Sequence, residues 1–415
     1  MDENKHFVTG LDVGTENVRA VIASVNKSGE IAIVGFNEGK SAGMRKGIPA
    51  NLAGPAGAID KMLGDAERMG GYDVRSAYVS INGSTVISTH TEGMIAVGAV
   101  DHEINDEDLD RVEDVSVSGR IPANRDVLDV VPLEYALDGQ GGIKNPLGMS
   151  GARLEMRANV ISALTPNCEN LKKATSAADV QALRLVPTPV AAAKAVLNEK
   201  QKENGVAVVD FGAATTGIAV YEEGDLQYVG VIPVGSNNIT NDLAIVLAID
   251  PDLAEEIKTR FITGNFDSEK SIAIKVGKNG ERTFDRKEVE EVVKARLDEI
   301  FAEIRKKLKS AHYDQRLPEG IVLTGGGAKM RDIEIFAKDA LEASVKIGIP
   351  VALGGVAESV AKPEFAVAVG LAIIAAESGD LAPTSGKKSK KPAKKSSGVG
   401  PFGFIKKIFS KFWQI

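Results

Sequence analysis

The sequence predicts an α/β fold of two related halves, each built around a β-hairpin whose first strand ends in an aspartate. The clearer hairpin is residues 206–220, in which two apolar, β-branched runs flank a turn of small residues and Asp210 closes the first run. Near the N-terminus, Asp12 likewise ends a strand before a Gly/Thr turn. One such hairpin is common, but two of them, about 200 residues apart, indicate a duplicated fold.

The two turns have the composition of an anion-binding site. Small residues let a ligand approach the backbone, and consecutive N–H groups form a concavity that suits phosphate oxygens. A third element is the apolar strand 321–324, followed by Gly325, Gly326 and Gly327, whose turn leaves room for a base or a ribose. We expect a phosphate-bearing nucleotide between these turns, with Mg²⁺ held by Asp210 directly and by Asp12 through water.

These spacings resemble the actin-like ATPase superfamily, which includes actin, heat-shock chaperones and sugar kinases. Residues 129–138 (DVVPLEYALD) and 142–151 (GIKNPLGMSG) resemble the inserted subdomain of the bacterial FtsA cell-division family. The resemblance runs from Phe7 to the C-terminal helix. It implies an actin-like two-lobed ATPase fold of duplicated ribonuclease-H-like domains, with an FtsA-type inserted subdomain and a C-terminal amphipathic helix.

The resemblance also implies how the chain is divided. The expected units are 1–84, first part of lobe one; 85–160, the insert; 161–203, second part of lobe one; 204–247, first part of lobe two; 248–312, the nucleotide- and FtsZ-tail-binding subdomain; 313–377, second part of lobe two; 378–400, a flexible basic linker; and 401–415, a membrane-targeting helix.

Residues in all three turns and in two following helices are expected to bind the nucleotide. They are Asp12, Gly14, Thr15, Glu16, Asn17, Asp210, Gly212, Ala213, Ala214, Thr215, Thr216, Gly235, Glu255, Lys258, Gly325, Gly326 and Gly327. Glu255 and Lys258 share a helix face at i, i+3, and the resemblance implies that they reach the ribose and adenine. A solvated ion pair is the alternative interpretation of these two residues.

Three departures from the family pattern bear on hydrolysis. Relatives that hydrolyse ATP briskly place a water-positioning glutamate where Thr188 stands, and a hydroxyl is a far poorer base than a carboxylate. Ala213 and Ala214 replace two glycines of the usual Asp-x-Gly-Gly-Gly-Thr-x-Asp turn, and Gly217 replaces its second aspartate. Because a Cβ disfavours positive φ, we expect a reshaped turn. ATP binding with weak or no hydrolysis is expected, and no catalytic residue is assigned.

Two further stretches have less decisive patterns. The Gly-rich loop 41–49 carries two bases and is expected to be a solvated loop, with contact to a nucleotide or a neighbouring subunit as the alternative. Within the insert, Asn105 is expected to cap a helix that begins with three acidic residues. His90 and His102 lie in polar contexts and are expected to be exposed side chains rather than metal ligands.

Composition limits the classes of protein to consider. A chain of 415 residues with 43% hydrophobic and 26% charged residues is ordinary for a globular protein of two or three domains. Its single cysteine, Cys168, precludes an internal disulfide and fits a reducing compartment. The polar N-terminus lacks the apolar core of a signal peptide, and no run of about 18 apolar residues is present.

The charge is unevenly distributed. Residues 386–415 hold nine lysines and no acidic residue, so subtracting nine from the net charge of −7 leaves −16 on the rest. An acidic body argues against nucleic acid as a partner, whereas the basic tail favours an anionic surface. Residues 378–400 are rich in Ser, Gly, Pro and Lys and are expected to form a flexible linker.

The last 15 residues have the pattern of an amphipathic helix. Ile405, Ile408, Phe409 and Phe412 follow i, i+3, i+4, i+7. Each buried aromatic contributes about 1.5–3 kcal/mol and each nearby lysine about 1 kcal/mol to binding an anionic bilayer. Docking onto the chain's own body is the alternative. The expected membrane contacts are Phe402, Phe404, Ile405, Lys406, Lys407, Ile408, Phe409, Lys411, Phe412 and Trp413.

The resemblance implies a peripheral protein on the cytoplasmic side of the cell membrane at the division septum. Such a protein binds ATP, polymerises, tethers filaments of FtsZ through the acidic C-terminal tail peptide of FtsZ, and helps recruit later division proteins. Arg260, Arg286 and Lys294 are candidates to bind that peptide. Two alternatives remain open at this point: another actin-like scaffold, such as the pilus-assembly protein PilM, and a small-molecule kinase of the superfamily.

Overall fold

The computed structural model describes residues 6–98, 101–263, 271–276, 280–313 and 317–379. Strands in chain order are β1 His6–Val13, β2 Asn17–Val25, β3 Ile31–Lys40, β4 Met44–Arg45, β5 Ile48–Pro49, β6 Ser76–Ile81, β7 Ile87–Ala96, β8 Arg125–Leu137, β9 Gln140–Ile143, β10 Arg153–Leu164, β11 Gln181–Pro187, β12 Val206–Phe211, β13 Thr216–Glu222, β14 Asp225–Ile232, β15 Ser271–Val276, β16 Gly280–Asp285, β17 Ile321–Thr324, β18 Val345–Ile347 and β19 Gly354–Gly355. Helices are α1 Ala53–Gly70, α2 Asp106–Val117, α3 Thr165–Ala177, α4 Thr188–Val196, α5 Glu199–Asn204, α6 Asn237–Val246, α7 Pro251–Thr263, α8 Arg286–Ser310, α9 Ile333–Leu341 and α10 Ala366–Ser378, with short 3₁₀ turns at Gly326–Lys329, Ala357–Val360 and Pro363–Phe365.

Two large sheets repeat the same central arrangement. The first has the order β11-β6-β1-β2-β3-β19, and the second has the order β18-β17-β12-β13-β14-β7-β10-β8-β9. In each, an antiparallel hairpin lies beside a parallel strand: β1–β2 next to β6, and β12–β13 next to β17. Strands β12 and β17 are buried throughout and apolar apart from Asp210 and Thr324, as expected for strands covered on both faces. The duplicated α/β fold expected from the two hairpins is therefore confirmed.

Helices α4 and α10 pack closely between the two sheets. α10 is apolar almost all round and almost entirely buried, so it is a core helix. Its Gly370 lies against α4, where a Cβ would come within 1.7 Å of the Ala191 carbonyl oxygen. This close contact fixes the position of α4 relative to α10 and to the strands of the two hairpins. It thereby also fixes the position of Thr188, the first residue of α4.

The insert consists of α2 and strands β7, β8, β9 and β10. Asn105 caps α2 as expected, because its side chain accepts hydrogen bonds from the backbone N–H groups of Glu107 and Asp108 at 2.9 and 3.2 Å. His90 is exposed, as expected, whereas His102 is half-buried. The ring of His90 hydrogen-bonds the Gln227 carbonyl at 2.9 Å, and His102 pairs with the buried Asp108 at 2.8 Å.

The sheet of the insert continues the sheet of the second lobe. β7 pairs with β14 through one residue pair, Ile87 and Gly230. The rest of the contact is made by side chains, such as Ser88, whose hydroxyl bonds the Val229 carbonyl and N–H at 3.2 and 2.9 Å.

The loop 41–49 differs from the expected solvated loop. It forms a small ribbon of β4 and β5, and the backbone N–H of Gly47 donates to the Thr15 hydroxyl at 2.9 Å. The loop is thereby fastened to the turn of the first hairpin.

The long helix α8 carries an apolar stripe that is buried in the second lobe, apart from the half-buried Val292. The linker beyond Gly379 and the predicted membrane contacts, from Phe402 to Trp413, lie outside the described residues. Within the part of the chain that the structure describes, no helix is long and apolar enough to cross a bilayer.

Candidate functional site

A cavity of about 290 Å³ lies between the two hairpin turns and the glycine triplet. It brings together all the residues expected to bind the nucleotide except Thr216 and Gly235. Those two lie directly behind the second turn. The Thr216 hydroxyl donates to the Val234 carbonyl at 2.8 Å, and a Cβ at Gly235 would lie 2.5 Å from the Ala213 carbonyl oxygen.

The two hairpin turns share one hydrogen-bond pattern. Gly14 N–H donates to the Asn17 carbonyl at 3.1 Å, and Gly212 N–H donates to the Thr215 carbonyl at 3.0 Å. A Cβ at either glycine would lie within 2.8 Å of that same carbonyl oxygen. Both turns therefore need their first glycine, and the residues that follow it line the cavity.

The expected reshaping of the second turn is not seen. Neither Ala213 nor Ala214 has a positive φ, so their Cβ atoms cause no backbone strain. The structure also explains why a glycine, rather than the aspartate of the family pattern, stands at position 217. A Cβ there would lie 3.0–3.2 Å from the ring of Pro189. The proline that follows Thr188 therefore occupies space that a larger residue at 217 would need.

Asp12 and Asp210 form a buried acidic pair at the bottom of the cavity, 6% and 7% exposed. Asp12 accepts a 2.8 Å hydrogen bond from the Ser80 hydroxyl, and the nearest Arg19 nitrogen is 3.9 Å away. Burial, with the negative charge of Asp12, raises the pKa of Asp210 to about 7. Burial also raises the pKa of Asp12, against the opposing effects of Arg19 and Ser80.

This pair fits a hydrated Mg²⁺ ion. The ion prefers oxygen ligands and is usually held by one or two carboxylates together with substrate phosphates. The positive charge that the protein places near these two carboxylates does not balance their negative charge, and a divalent cation would balance it. Among the described residues, no group of three or more His, Cys, Asp or Glu forms a ready-made metal cage.

The far end of the cavity is formed by α6 and α7. Lys258, only 4% exposed, donates to Glu255 at 2.6 Å and to the Thr240 hydroxyl at 2.9 Å. Glu255 also accepts from Thr240 at 2.6 Å. Lys258 is buried whereas the Glu255 side chain is 37% exposed, so the ion pair of the alternative interpretation is present but only partly solvated, and both residues line the cavity.

The triple-glycine turn also lines the cavity, next to Asp210. Gly325 has φ +85° and ψ +176°, and a Cβ there would lie 2.6 Å from an Asp210 carboxylate oxygen. A Cβ at Gly327 would lie 2.4 Å from the Phe211 ring, whereas Gly326 has open space around it. The first and third glycines thus allow close packing on β12, and the second borders the cavity.

Several cavity residues were not predicted from sequence. Lys40 of the first lobe and Asn237 of the second lobe are two of them, and both donate to the predicted residue Glu16, at 2.6 and 3.2 Å. Arg19 was detectable, because a four-residue turn between the paired Val13 and Val18 places it directly opposite Asp12 in the hairpin. The others come from distant parts of the chain and carry no local signal. The unpredicted lining residues are Arg19, Glu38, Lys40, Asn82, Ser236, Asn237, Thr259, Lys329, Glu364 and Val367.

The three basic residues proposed for a peptide lie away from this cavity. Arg260 on α7 pairs with Glu256 at 2.7 Å and donates to the Ala273 carbonyl at 2.9 Å. Arg286, at the start of α8, pairs with Glu290 at 2.7 Å, and Lys294 is exposed two turns further along. They share the subdomain of α7, α8 and the β15–β16 ribbon.

Comparison with solved structures identifies the class. The chain is similar to a chain of the PilM-PilN type IV pilus biogenesis complex, with a TM-score of 0.64 and 18% identity over 89% of this chain and 98% of that one. It is also similar to MreB5 of Spiroplasma citri bound to ADP, with a TM-score of 0.51 and 14% identity over 88% and 94%. These likenesses and the duplicated hairpins define an actin-like, two-lobed protein.

Sequence comparison then identifies the family. Residues 207–370 match the family model described as Cell division protein FtsA, and residues 83–162 match the SHS2 domain inserted in FtsA. The cell division protein FtsA of Pseudomonas aeruginosa is 33% identical over 371 residues, covering 88% of each chain. That of Escherichia coli K12 is 31% identical over 379 residues, covering 89% of this chain and 90% of its own. The chain belongs to the FtsA family of actin-like cell division proteins.

Proposed function

We propose that this FtsA-family protein binds ATP with Mg²⁺ in its cleft and polymerises on the inner face of the cytoplasmic membrane. There it tethers FtsZ filaments through their C-terminal tail peptide and helps recruit later division proteins to the septum. The observation that carries the proposal is the pair of matching turns, each next to a buried aspartate, on opposite walls of one cavity. An actin-like relative of the same fold is bound to ADP.

Each part of the cavity has a role in this proposal. Backbone N–H groups after Gly14 and Gly212 bind phosphate oxygens, and Glu255 with Lys258 binds the ribose and adenine. Asp210 holds Mg²⁺ directly and Asp12 holds it through water, and the ion supplies the positive charge that the phosphates and carboxylates both need.

Binding rather than rapid turnover is the proposed role of the nucleotide. Thr188, 3% exposed, stands beside Asp210 at the place where a general base would act. Its hydroxyl does not take up a proton at neutral pH, so it cannot activate a water molecule as a carboxylate does. ATP then acts as a ligand that bridges the lobes and favours the polymerising shape. Many weak contacts between tail helices and lipid become strong along a filament through avidity.

Replacing Asp210 tests the nucleotide part of the proposal. Asp210→Ala removes the expected Mg²⁺ ligand, so calorimetry should show at least a roughly tenfold loss of ATP affinity in Mg²⁺ buffer, with a matching loss of polymers on lipid. Asp60→Ala, at an exposed position on α1, is the control. If Asp210→Ala loses ATP binding but still polymerises on lipid, the nucleotide is not the switch.

Flotation with anionic vesicles tests the membrane part. Phe409→Glu places a charge on the apolar face of residues 401–415 and should leave the protein at the bottom of the gradient. Gln414→Glu, on the polar face, should have a small effect. Retention of Phe409→Glu on vesicles would show that this helix is not the anchor.

The FtsZ contact is tested with the tail peptide alone. Arg286→Glu and Lys294→Glu should each weaken the binding of a labelled FtsZ tail peptide, because the peptide is acidic and the new side chain repels it. Lys306→Glu, near the other end of α8, is the matched control. Equal affinities for all three variants would exclude this face of the subdomain.

A further inference from the structure

Each phosphate-facing turn contains one threonine whose hydroxyl oxygen already accepts a hydrogen bond. In the first turn, Thr15 Oγ1 accepts from the backbone N–H of Gly47 at 2.9 Å. In the second, Thr215 Oγ1 accepts from the side-chain amide of Asn82, also at 2.9 Å. Both threonines line the cavity, and Thr215 is 3% exposed.

A hydroxyl group carries one proton and two lone pairs. When an N–H group occupies one lone pair, the hydroxyl proton remains available to a different acceptor. Thr15 and Thr215 both line the cavity, where the proposed phosphate oxygens would lie and accept this proton. Because the neighbouring N–H groups occupy an acceptor lone pair of each hydroxyl, both threonine hydroxyls are oriented to donate their proton to an anion.

We propose that Asn82 is a positioning residue for phosphate binding, which acts by holding the Thr215 hydroxyl as a donor, and that Gly47 N–H does the same for Thr15. The inference rests on the proposed ATP site. It adds Asn82, which lines the cavity beside the second turn, and Gly47 to the residues of the turns themselves.

The direction of the Asn82 bond is fixed by its second contact. The Asn82 side-chain oxygen accepts from Gly83 N–H at 2.7 Å, and only the carbonyl end of an amide can accept from N–H. The NH₂ end must then face Thr215 and donate to it. An aspartate at position 82 would instead accept the Thr215 proton, which would turn the hydroxyl away from the ligand and add a negative charge nearby.

The two positioning groups form one packed unit. Gly47 has φ +80°, and a Cβ there would lie 2.8 Å from Gly83 N and 3.0 Å from the Asn82 Cβ. A Cβ at Gly83 would in turn lie 2.9 Å from the Ile48 side chain. The loop 41–49 and the end of β6 thus support one threonine in each lobe.

Calorimetric titrations with ATP, ADP and adenosine in Mg²⁺ buffer test the inference. Asn82→Ala should weaken ATP binding about 5–20-fold, because one oriented donor to an anion is lost, and Asn82→Asp should weaken it further. Adenosine affinity should not change in either variant, which shows that the cavity is intact. Asn145→Ala, at an exposed position in the insert, is the control.

A double-mutant cycle separates positioning from a general structural role. In a Thr215→Val background, Asn82→Ala should cause no further loss of ATP affinity, because the hydroxyl that it orients is absent. Additive losses, or equal losses for ATP and adenosine, would overturn the inference. If the unmodified protein binds ATP and both Asn82 variants bind it equally well, the inference fails while the ATP site stands. If the unmodified protein binds no ATP, both fail.

Discussion

The triple-glycine turn allows a matched test, because two adjacent glycines have opposite surroundings. Gly325 adopts φ +85° and ψ +176°, a region that is essentially restricted to glycine and costs other residues about 1–3 kcal/mol. A Cβ there would also lie 2.6 Å from Asp210 Oδ1 and 2.7 Å from the Phe211 carbonyl oxygen. Overpacking of this kind costs about 1–3 kcal/mol more. Gly325→Ala should therefore lower the free energy of unfolding by about 2–6 kcal/mol.

Gly326→Ala is the control. No atom lies within 4 Å of its Cβ position, and its φ is not positive, so its effect should stay within about 1 kcal/mol and can be stabilising. Urea denaturation of both full-length variants, followed by far-UV circular dichroism, measures the difference. The Gly325→Ala variant should also bind ATP more weakly, because its methyl group displaces the Asp210 carboxylate. Equal stabilities for the two variants would refute the described geometry of the turn.

Three further predictions concern stability and the second turn. Burial and neighbouring acids raise the pKa of Glu113 to about 7 in the folded protein. The free energy of unfolding therefore falls as pH rises from about 4.5 to 7, because the folded protein holds this proton more tightly than the unfolded chain does. Glu113→Gln should accordingly be more stable than the parent by about 1–3 kcal/mol above pH 7 and equal to it near pH 4, in urea titrations at both pH values. Gly217→Asp should lower the melting temperature rather than restore hydrolysis, because its Cβ meets the Pro189 ring; phosphate release equal to that of a brisk ATPase would contradict this. Ala214→Gly should cost about 0.4–1 kcal/mol without strengthening ATP binding, since no positive φ is needed there; tighter binding would count against the observed turn.

The parts of the site that could be predicted are those in which neighbours in sequence are neighbours in space. A strand, a tight turn and a returning strand fix where Asp12, Gly14 and Thr15 lie relative to one another, whatever surrounds them. The error at Ala213 and Ala214 has a related cause. Composition shows that a turn is present, but the φ values depend on how many residues span it, and four residues cross this turn without positive φ.

The remaining cavity residues could not be predicted because their partners are far away in the chain. Glu16 meets Asn237, 221 residues later, and Asn82 meets Thr215, 133 residues later. Such pairs depend on how the lobes face each other, which no local pattern specifies. The contact between the loop 41–49 and Thr15 could not be predicted for the same reason. The polar composition of this loop is equally compatible with exposure to solvent and with that contact.

The contact between the insert and the second lobe is another case in which distant parts of the chain are held together. β14 would be an edge strand of the second lobe, and its free backbone groups are covered by side chains of the insert rather than by a full ladder. Asn159, fully buried, donates to the Leu226 carbonyl at 2.8 Å, and Lys144 pairs with Asp225 at 2.7 Å. On its other side, the insert is continuous with the first lobe. Because an unsatisfied buried polar group costs about 1–3 kcal/mol, a rotation of the lobes must either carry the insert along or break these bonds. These contacts therefore fasten the insert to the second lobe.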